Sequence, residues 1–252
     1  MPEAATLPTR REEAWRYADI DAVEALGSAA LDAWDEIAVA DGETFQRNLV
    51  LGSDTSELQR LRVTLGAGAR AEIFATLAGG ASTRLEIEVT LADGAHFELG
   101  GVTIGGGDAT REIVTTTLHS APNATSNQTV RSVHWGTATG NFLGEIKVAR
   151  HAQKTDAAQD FKALLLQQGA SANAVPQLEI FADDVKCAHG ATVGELDENA
   201  RFYMAARGLS PEMAQRLLVQ AFIGDAFVEL EDESERERLL DAALDHLGGS
   251  GL

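Results

Sequence analysis

Cys187 and His189, a cysteine and a histidine separated by one residue, are the strongest chemical candidates in this sequence. Side chains two positions apart on an extended strand point to the same face, so a thiolate and an imidazole would lie side by side. Such a pair suits a soft metal such as iron, zinc or copper. Two ligands leave a metal site incomplete, so a neighbouring chain or a transient ion would have to supply the rest. The alternative is that Cys187 is a small buried hydrophobe and His189 a hydrogen-bonded structural residue.

The same pair could instead serve a nucleophilic enzyme, in which Cys187 attacks the substrate and His189 acts as the base. The sequence identifies no acid, oxyanion donor or substrate pocket for this chemistry. It also lacks the Gly-x-Ser-x-Gly elbow of hydrolases and the His-Glu-x-x-His pair of metalloproteases. A hydrolase or a metalloprotease therefore has no support in the sequence, whereas an enzyme with Cys187 as its nucleophile stays an alternative.

The region around this pair, from about residue 48 to residue 194, alternates polar and apolar residues as strands with one buried face do. A short motif recurs at an offset of 26 residues, from position 63 to position 89: Val63-Thr64-Leu65, Gly68-Ala69 and Glu72 are followed by Val89-Thr90-Leu91, Gly94-Ala95 and Glu98. A repeat made only of strand and turn signals fits one coil of a β-solenoid. A β-sandwich with two similar hairpins would give the same pattern.

Helical patterns flank this β region on both sides. Thr9 and Glu12 have the spacing of a capping box near the N-terminus. Ser210 followed by Pro211 predicts the start of a helix near the C-terminus. We therefore divide the chain into an N-terminal helical segment at 1–41, a mainly β core at 42–194 and a C-terminal helical region at 195–252.

Composition limits the classes of partner. The 252 residues contain 20 basic and 39 acidic side chains and carry a formal charge of −19. This charge argues against nucleic acid or an anionic membrane as the main partner. The sequence shows neither a long apolar span nor an apolar signal core, and Cys187 is its single cysteine. These features predict a soluble, cytoplasmic protein without an intramolecular disulfide.

Several runs of residues, in order along the chain, resemble the SufB/SufD family of iron–sulfur cluster assembly proteins. They are Pro8-Thr9-Arg10-Arg11-Glu12-Glu13-Ala14-Trp15-Arg16-Tyr17, Gln153-Lys154-Thr155-Asp156-Ala157, Leu164-Leu165-Leu166, Pro176-Gln177-Leu178-Glu179-Ile180, Ala182-Asp183-Asp184-Val185-Lys186-Cys187, His189-Gly190-Ala191-Thr192-Val193-Gly194, Leu196-Asp197-Glu198, Phe202-Tyr203 and Arg207-Gly208. The form around Cys187 is similar to that of the SufD branch, and no cysteine precedes it in the way that SufB-type chains carry a separate cluster-building cysteine. The chain is much shorter than typical members of this branch, which implies a trimmed N-terminal region.

The resemblance implies a right-handed parallel β-helix core flanked by N- and C-terminal helical regions. It also implies that the β-helix pairs with a SufB-like protein and that the C-terminal helices dock on SufC, an ABC-type ATPase that would hydrolyse the ATP. The chain itself is then expected not to be an enzyme. His189 matches the family's histidine proposed to act with a SufB cysteine at that interface, and Cys187 lies beside it. No tightly bound cofactor is expected, whereas iron or an iron–sulfur cluster could be held transiently at the SufB interface.

Three apolar residues at helical spacing, Met213, Leu217 and Phe222, would form part of the surface that contacts SufC, or else belong to the internal core. A rival from another class is a self-contained β-solenoid binding module, such as a homodimer, without cluster chemistry. Copurification with an ATPase and a second β-helix protein would distinguish the two. A homodimer of the isolated chain is compatible with either.

Overall fold

The centre of the protein is a parallel β-solenoid made of two six-stranded sheets. The computed structural model describes residues 7–247, so the ends of the predicted terminal segments, at 1–6 and 248–252, lie outside the described residues. Each strand runs parallel to its neighbours in the sheet, with β1 (Asp35–Val39) beside β3 (Glu57–Leu65) and β2 (Thr44–Leu51) beside β4 (Arg70–Leu77) at one end of the stack. Parallel neighbours arise from stacked coils and not from hairpins. The solenoid prediction is therefore confirmed, and the sandwich alternative is wrong.

The strands alternate between the two sheets along the chain. Sheet A has the order β1 (Asp35–Val39), β3 (Glu57–Leu65), β5 (Ser82–Leu91), β7 (Thr110–His119), β9 (Thr139–Val148) and β11 (Ser171–Ile180). Sheet B has the order β2 (Thr44–Leu51), β4 (Arg70–Leu77), β6 (His96–Gly105), β8 (Thr125–His134), β10 (Asp156–Leu165) and β12 (Lys186–Gly194). Each pair of consecutive strands makes one coil of the solenoid.

In each of the first five coils, the turn between the two strands contains a residue with positive φ. In order along the stack these residues are Gly42, Gly68, Gly94, Asn123 and Lys154. The N–H of each donates a hydrogen bond to a carbonyl of the next coil. Glycine adopts this conformation without steric cost, and asparagine tolerates it better than most residues. The glycines of the sequence repeat are therefore turn residues that keep successive coils in register.

The coils lengthen along the stack. Side chains that bond across adjacent coils are 26 residues apart for Arg60 and Glu86 but 29 apart for Glu98 and Asn127. The separation reaches 32 residues for Asn141 and Asn173. This lengthening explains why the sequence shows its 26-residue repeat only in the first coils.

The space between the two sheets is packed with apolar side chains in the first coils. Ile73, Leu85 and Phe97 are fully buried there. Farther along the stack, the rings of Phe142 and Phe161 stack with their centroids 5.6 Å apart. The burial of each of these apolar side chains stabilises the fold by about 1.5–3 kcal/mol.

The N-terminal segment packs on the outer face of sheet A. It contains a 3₁₀ turn (Glu13–Trp15) and two short helices, α1 (Ile20–Leu26) and α2 (Ser28–Asp32). Trp15 is buried, with the Arg84 guanidinium 3.9 Å from its ring centroid. This contact ties the start of the chain to the middle of the solenoid.

Strand β1 (Asp35–Val39) lies inside the range 1–41, for which the sequence predicted a helical segment. It pairs along its whole length with β3, where Ile37 lies opposite Val63 and Val39 opposite Leu65. Pairing with this buried strand determines the conformation of a segment too short to show a clear period of its own.

The C-terminal region contains three helices, α3 (Glu198–Ala206), α4 (Pro211–Gly224) and α5 (Glu233–Leu247), with a 3₁₀ turn (Asp225–Phe227) after α4. Helices α4 and α5 pack on the outer face of sheet B, and α3 contacts α4. The predicted start of α4 is confirmed, because the Ser210 hydroxyl accepts a hydrogen bond from the Met213 N–H at 3.3 Å. Helix α3, in contrast, buries none of its residues. Within residues 7–247, none of the helices is both long enough and apolar enough to cross a bilayer.

Candidate functional site

The C-terminal end of the solenoid is open. Strand β11 pairs only with β9 and strand β12 only with β10 among residues 7–247. The second edge of each strand leaves backbone N–H and C=O groups available to water or to another chain. Three large apolar residues are exposed at this end: Ile180, Phe181 and Val193.

Cys187 and His189 lie on β12, the last strand of sheet B. In the register of the sheet, Cys187 lies beside Ala157 and His189 beside Gln159. Both β10 residues are buried, and their neighbours Phe161 and Ala163 at the same alternation belong to the solenoid core. The structure therefore places the two predicted site residues on the interior face of one strand, whereas their role as metal ligands stays a prediction.

Cys187 is half-buried and packs with Ile146, Val148 and Ala157. Burial raises the pKa of the Cys187 thiol, and the negative charge of Asp156 raises it further. A thiol with a raised pKa is largely protonated at neutral pH and is a weak nucleophile. This environment does not favour the alternative in which Cys187 attacks a substrate.

His189 is exposed, although it points to the interior side of β12. It is open to solvent because no further coil is stacked on the end of the solenoid within the described residues. A neutral imidazole can offer one ring nitrogen to a metal and keep a proton on the other. The site is thus accessible from the end of the stack.

The two residues do not by themselves form a metal site. Within residues 7–247, no three His, Cys, Asp or Glu side chains are grouped so that they could hold a metal ion. A thiol and an imidazole are suitable donors for iron, but they supply only part of a ligand set. That a second chain or a transient ion completes the set stays a prediction.

Two other histidines, His119 and His134, lie inside the solenoid and are fully buried. His119 shares a hydrogen bond of 2.9 Å with the Ser126 hydroxyl, and His134 shares one of 2.8 Å with the Ser132 hydroxyl. Burial lowers the pKa of His119 to about 4 and the pKa of His134 to about 3. Both are neutral structural residues at physiological pH.

The three residues predicted to contact an ATPase are in two different environments. Met213 and Leu217 are exposed on α4, at 47% and 38%. Phe222 is half-buried against the apolar cluster that joins the helices to sheet B. The structure therefore leaves two of the three available to a partner.

The sequence analysis named the most exposed aromatic residues of the helical region only as part of the family resemblance, and not as contact candidates. Phe202 and Tyr203 on α3 are 77% and 60% exposed. Positions three and four residues from Phe202 hold Glu198, Asn199 and two alanines, so no large apolar side chain continues its face of the helix. Two aromatic residues on a helix face without further large apolar side chains could have indicated a surface that no other part of the chain covers.

A family model and individual curated proteins that match this chain point to the same family. The family described as SUF system FeS cluster assembly, SufBD core domain, matches residues 31–222. Iron-sulfur cluster assembly protein SufD of Escherichia coli K12 is 43% identical over 99 residues, which cover 39% of this chain and 23% of that protein. The chloroplastic protein ABCI7 of Arabidopsis thaliana is 41% identical over 108 residues, which cover 43% of this chain and 22% of that protein. Iron-sulfur cluster assembly protein SufD of Bacillus subtilis is 30% identical over 139 residues, or 55% of this chain and 32% of that protein.

The chain therefore spans only about a quarter to a third of the length of these curated relatives. The family match is broader, because residues 31–222 run from the end of α2 through all twelve strands and into α4. That range includes the open end of the solenoid with Cys187 and His189. On this match, the chain belongs to the SufBD core family of the SUF system for iron–sulfur cluster assembly.

Proposed function

We propose that this chain is a scaffold subunit of a SUF-type complex, in which it pairs with a SufB-like β-helix protein and binds a SufC-like ABC ATPase. One observation carries the proposal: His189 is exposed on the interior face of an edge strand, where a second chain could add the metal ligands that residues 7–247 do not supply. In this account the chain catalyses no reaction, ATP is hydrolysed by the ATPase, and iron or a nascent cluster is the transient substrate. We expect the complex to form in the cytoplasm.

The open end of the solenoid is the surface we assign to the SufB-like partner. The unpaired edges of β11 and β12 can extend both sheets across an interface through backbone hydrogen bonds. Ile180, Phe181 and Val193 would be removed from water by the same contact. A partner that joins here would also bring its own side chains next to Cys187 and His189.

The exposed apolar residues of α3 and α4 are the surface we assign to the ATPase. This helical surface consists of Phe202, Tyr203, Met213 and Leu217. Because α3 buries none of its own residues against the solenoid, its aromatic side chains gain no stability from the isolated chain. A groove on a partner that covers them would gain the hydrophobic free energy of that burial.

Coexpression with the two proposed partners tests both assignments at once. Phe181→Asp combined with Val193→Asp should abolish copurification of the SufB-like protein and leave the ATPase bound. Phe202→Asp combined with Tyr203→Asp should do the reverse. Val228→Asp is a matched control, because Val228 is an exposed apolar residue, at 64%, that lies on neither surface.

The copurification results distinguish a wrong scaffold function from a wrong assignment of the open end. If neither partner copurifies with the wild-type chain, the scaffold function is wrong and a self-contained solenoid remains. If the chain copurifies only with itself, and the Phe181 and Val193 substitutions disrupt that contact, the open end is a homodimer surface and not a subunit interface.

A further inference from the structure

The interior of the solenoid contains a column of polar side chains that ends at His189. Gln128 on β8, Gln159 on β10 and His189 on β12 occupy the same register position on three adjacent strands of sheet B. Adjacent strands of a sheet are about 4.8 Å apart, so neighbouring side chains of such a column are within reach of one another. Gln128 and Gln159 are buried, at 0% and 2% exposure, whereas His189 is exposed.

Gln128 satisfies its amide across the interior. Its Oε1 accepts a hydrogen bond from the Thr115 hydroxyl at 2.7 Å, and its Nε2 donates one to the Thr117 hydroxyl at 3.0 Å. Both threonines lie on β7, on the opposite sheet. Both polar atoms of the Gln128 amide therefore have a hydrogen-bond partner.

Within residues 7–247, no such hydroxyl groups face Gln159 from the opposite sheet. One coil farther along sheet A, the positions of Thr115 and Thr117 are occupied by Gly144 and Ile146. A Cβ added at Gly144 would lie 2.6 Å from Gln159 Nε2, so the glycine leaves room for the amide but offers it no side-chain partner. Neither Gln159 Nε2 nor Gln159 Oε1 has a hydrogen-bond partner among the described residues.

A buried amide without a partner is unusual in folded proteins, which points to a group that meets it in solution. The next side chain in the column is the imidazole of His189, which is exposed and can turn about its side-chain bonds. We propose that Gln159 is a positioning residue for His189: its Oε1 accepts a hydrogen bond from the N–H of one ring nitrogen. The other ring nitrogen then faces the open end of the solenoid with its lone pair free.

This hydrogen bond would select one tautomer of the neutral imidazole. Metal-binding histidines are commonly held in this way, by an acceptor on the ring nitrogen that does not bind the metal. The consequence for iron rests on the function proposed above, whereas the hydrogen bond itself can be measured on the metal-free chain.

Nitrogen-resolved NMR of the histidine rings at pH 8 tests the proposal on the full chain. In the wild type, His189 should show a single dominant tautomer, unlike the exposed His151. Gln159→Met keeps the size of the side chain and removes the acceptor. It should move the chemical shifts of the His189 ring nitrogens to the values seen for His151. Gln159→Glu, which keeps an acceptor oxygen, should retain the wild-type pattern. The signals of the buried His119 and His134 report whether each variant is folded.

The proposal is overturned if His189 in the wild type matches His151, or if Gln159→Met leaves its ring signals unchanged in a folded protein. Should Gln159→Met not fold, His189→Ala provides the second measurement, since we expect truncation of an exposed side chain to have little effect on folding. The side-chain amide signal of Gln159 should then move, and an unmoved signal contradicts the contact. If Gln159→Met changes the His189 tautomer but leaves the rate of cluster assembly unchanged, the hydrogen bond is supported and only the proposed function is contradicted.

Discussion

Cys187 and His189 share the interior face of β12, but only the imidazole is exposed at the open end of the solenoid. The thiol two residues earlier is half-buried against Ile146 and Val148, and burial raises its pKa. A partner that joins this end of the stack would therefore contact His189 directly. It would contact Cys187 only next to the apolar side chains of Ile146 and Val148.

We expect His189→Ala to lower the initial rate of cluster assembly in the reconstituted complex by about tenfold or more, because one donor of a shared site is lost. An exposed side chain contributes little packing, so the free energy of unfolding should change by less than about 0.5 kcal/mol. Iron and sulfide incorporation measured by absorbance checks the first expectation, and urea titration the second.

His151→Ala is the matched control for this substitution, because His151 is also exposed but lies in the turn between β9 and β10 and not on β12. Its assembly rate should equal that of the wild type. An unchanged rate with His189→Ala would remove this residue from the proposed site.

The two faces of α4 should respond differently to substitution. Met213→Asp places a charge on the exposed side, so it should weaken ATPase binding by about tenfold, or about 1.4 kcal/mol, with unfolding unaffected. Phe222→Ala removes packing against the cluster under the helix and should cost about 2 kcal/mol of folding stability. Titration calorimetry and urea unfolding separate the two effects, and equal ATPase binding by wild type and Met213→Asp would contradict the assigned surface.

The fold was largely predictable from the sequence because strand alternation and the repeated turn glycines report directly on backbone geometry. Gly68 and Gly94 mark the same turn in consecutive coils. The later coils hide this signal, because Asn123 and Lys154 take the same positive-φ position and the coil length grows. The parallel pairing that separates a solenoid from a sandwich is a long-range property, which a single repeat does not determine.

The candidate site was predictable only in part. The spacing of Cys187 and His189 indicates a common face, but exposure at the end of the stack depends on which coil is last. Likewise, helical spacing groups Met213, Leu217 and Phe222 without indicating that Phe222 packs inward. The isolation of Gln159 follows from Gly144 on the opposite sheet, a pairing that no local pattern in the sequence reveals.

The buried histidines should make folding stability depend on pH. His119 and His134 have pKa values of about 4 and about 3 in the folded protein, below the ordinary value of 6.5, because burial disfavours the charged ring. The unfolded chain therefore binds more protons below about pH 6.5, and stability is lost as the pH falls. Between pH 7 and pH 4.5 the two groups together should cost about 5 kcal/mol.

Urea titrations of the wild type, His119→Gln and the exposed control His151→Gln across this pH range check the expectation. The loss between pH 7 and pH 4.5 should be smaller by about 2.5 kcal/mol for His119→Gln, since a group that cannot be protonated has no linked proton. The control should follow the wild type. Parallel curves for all three proteins would show that His119 is not held neutral by burial.

Trp15 should anchor the N-terminal segment to sheet A. Its ring is buried and covers the guanidinium of Arg84, which also donates a hydrogen bond to the Ala14 carbonyl at 2.9 Å. Trp15→Ala should lower the free energy of unfolding by about 3 kcal/mol. It should also speed tryptic cleavage at Arg16, whereas Leu7→Ala, at a position 39% exposed, should change neither. Unchanged cleavage in Trp15→Ala would contradict the anchoring role.

Native mass spectrometry of the tagged wild-type chain, coexpressed with its SufB-like and SufC-like candidates, is the most direct test of the central claim that this solenoid is one half of a shared site. The account predicts a complex that contains both partners, with the SufB-like protein lost on substitution of Phe181 and Val193. A chain recovered alone, or only with further copies of itself, would contradict it.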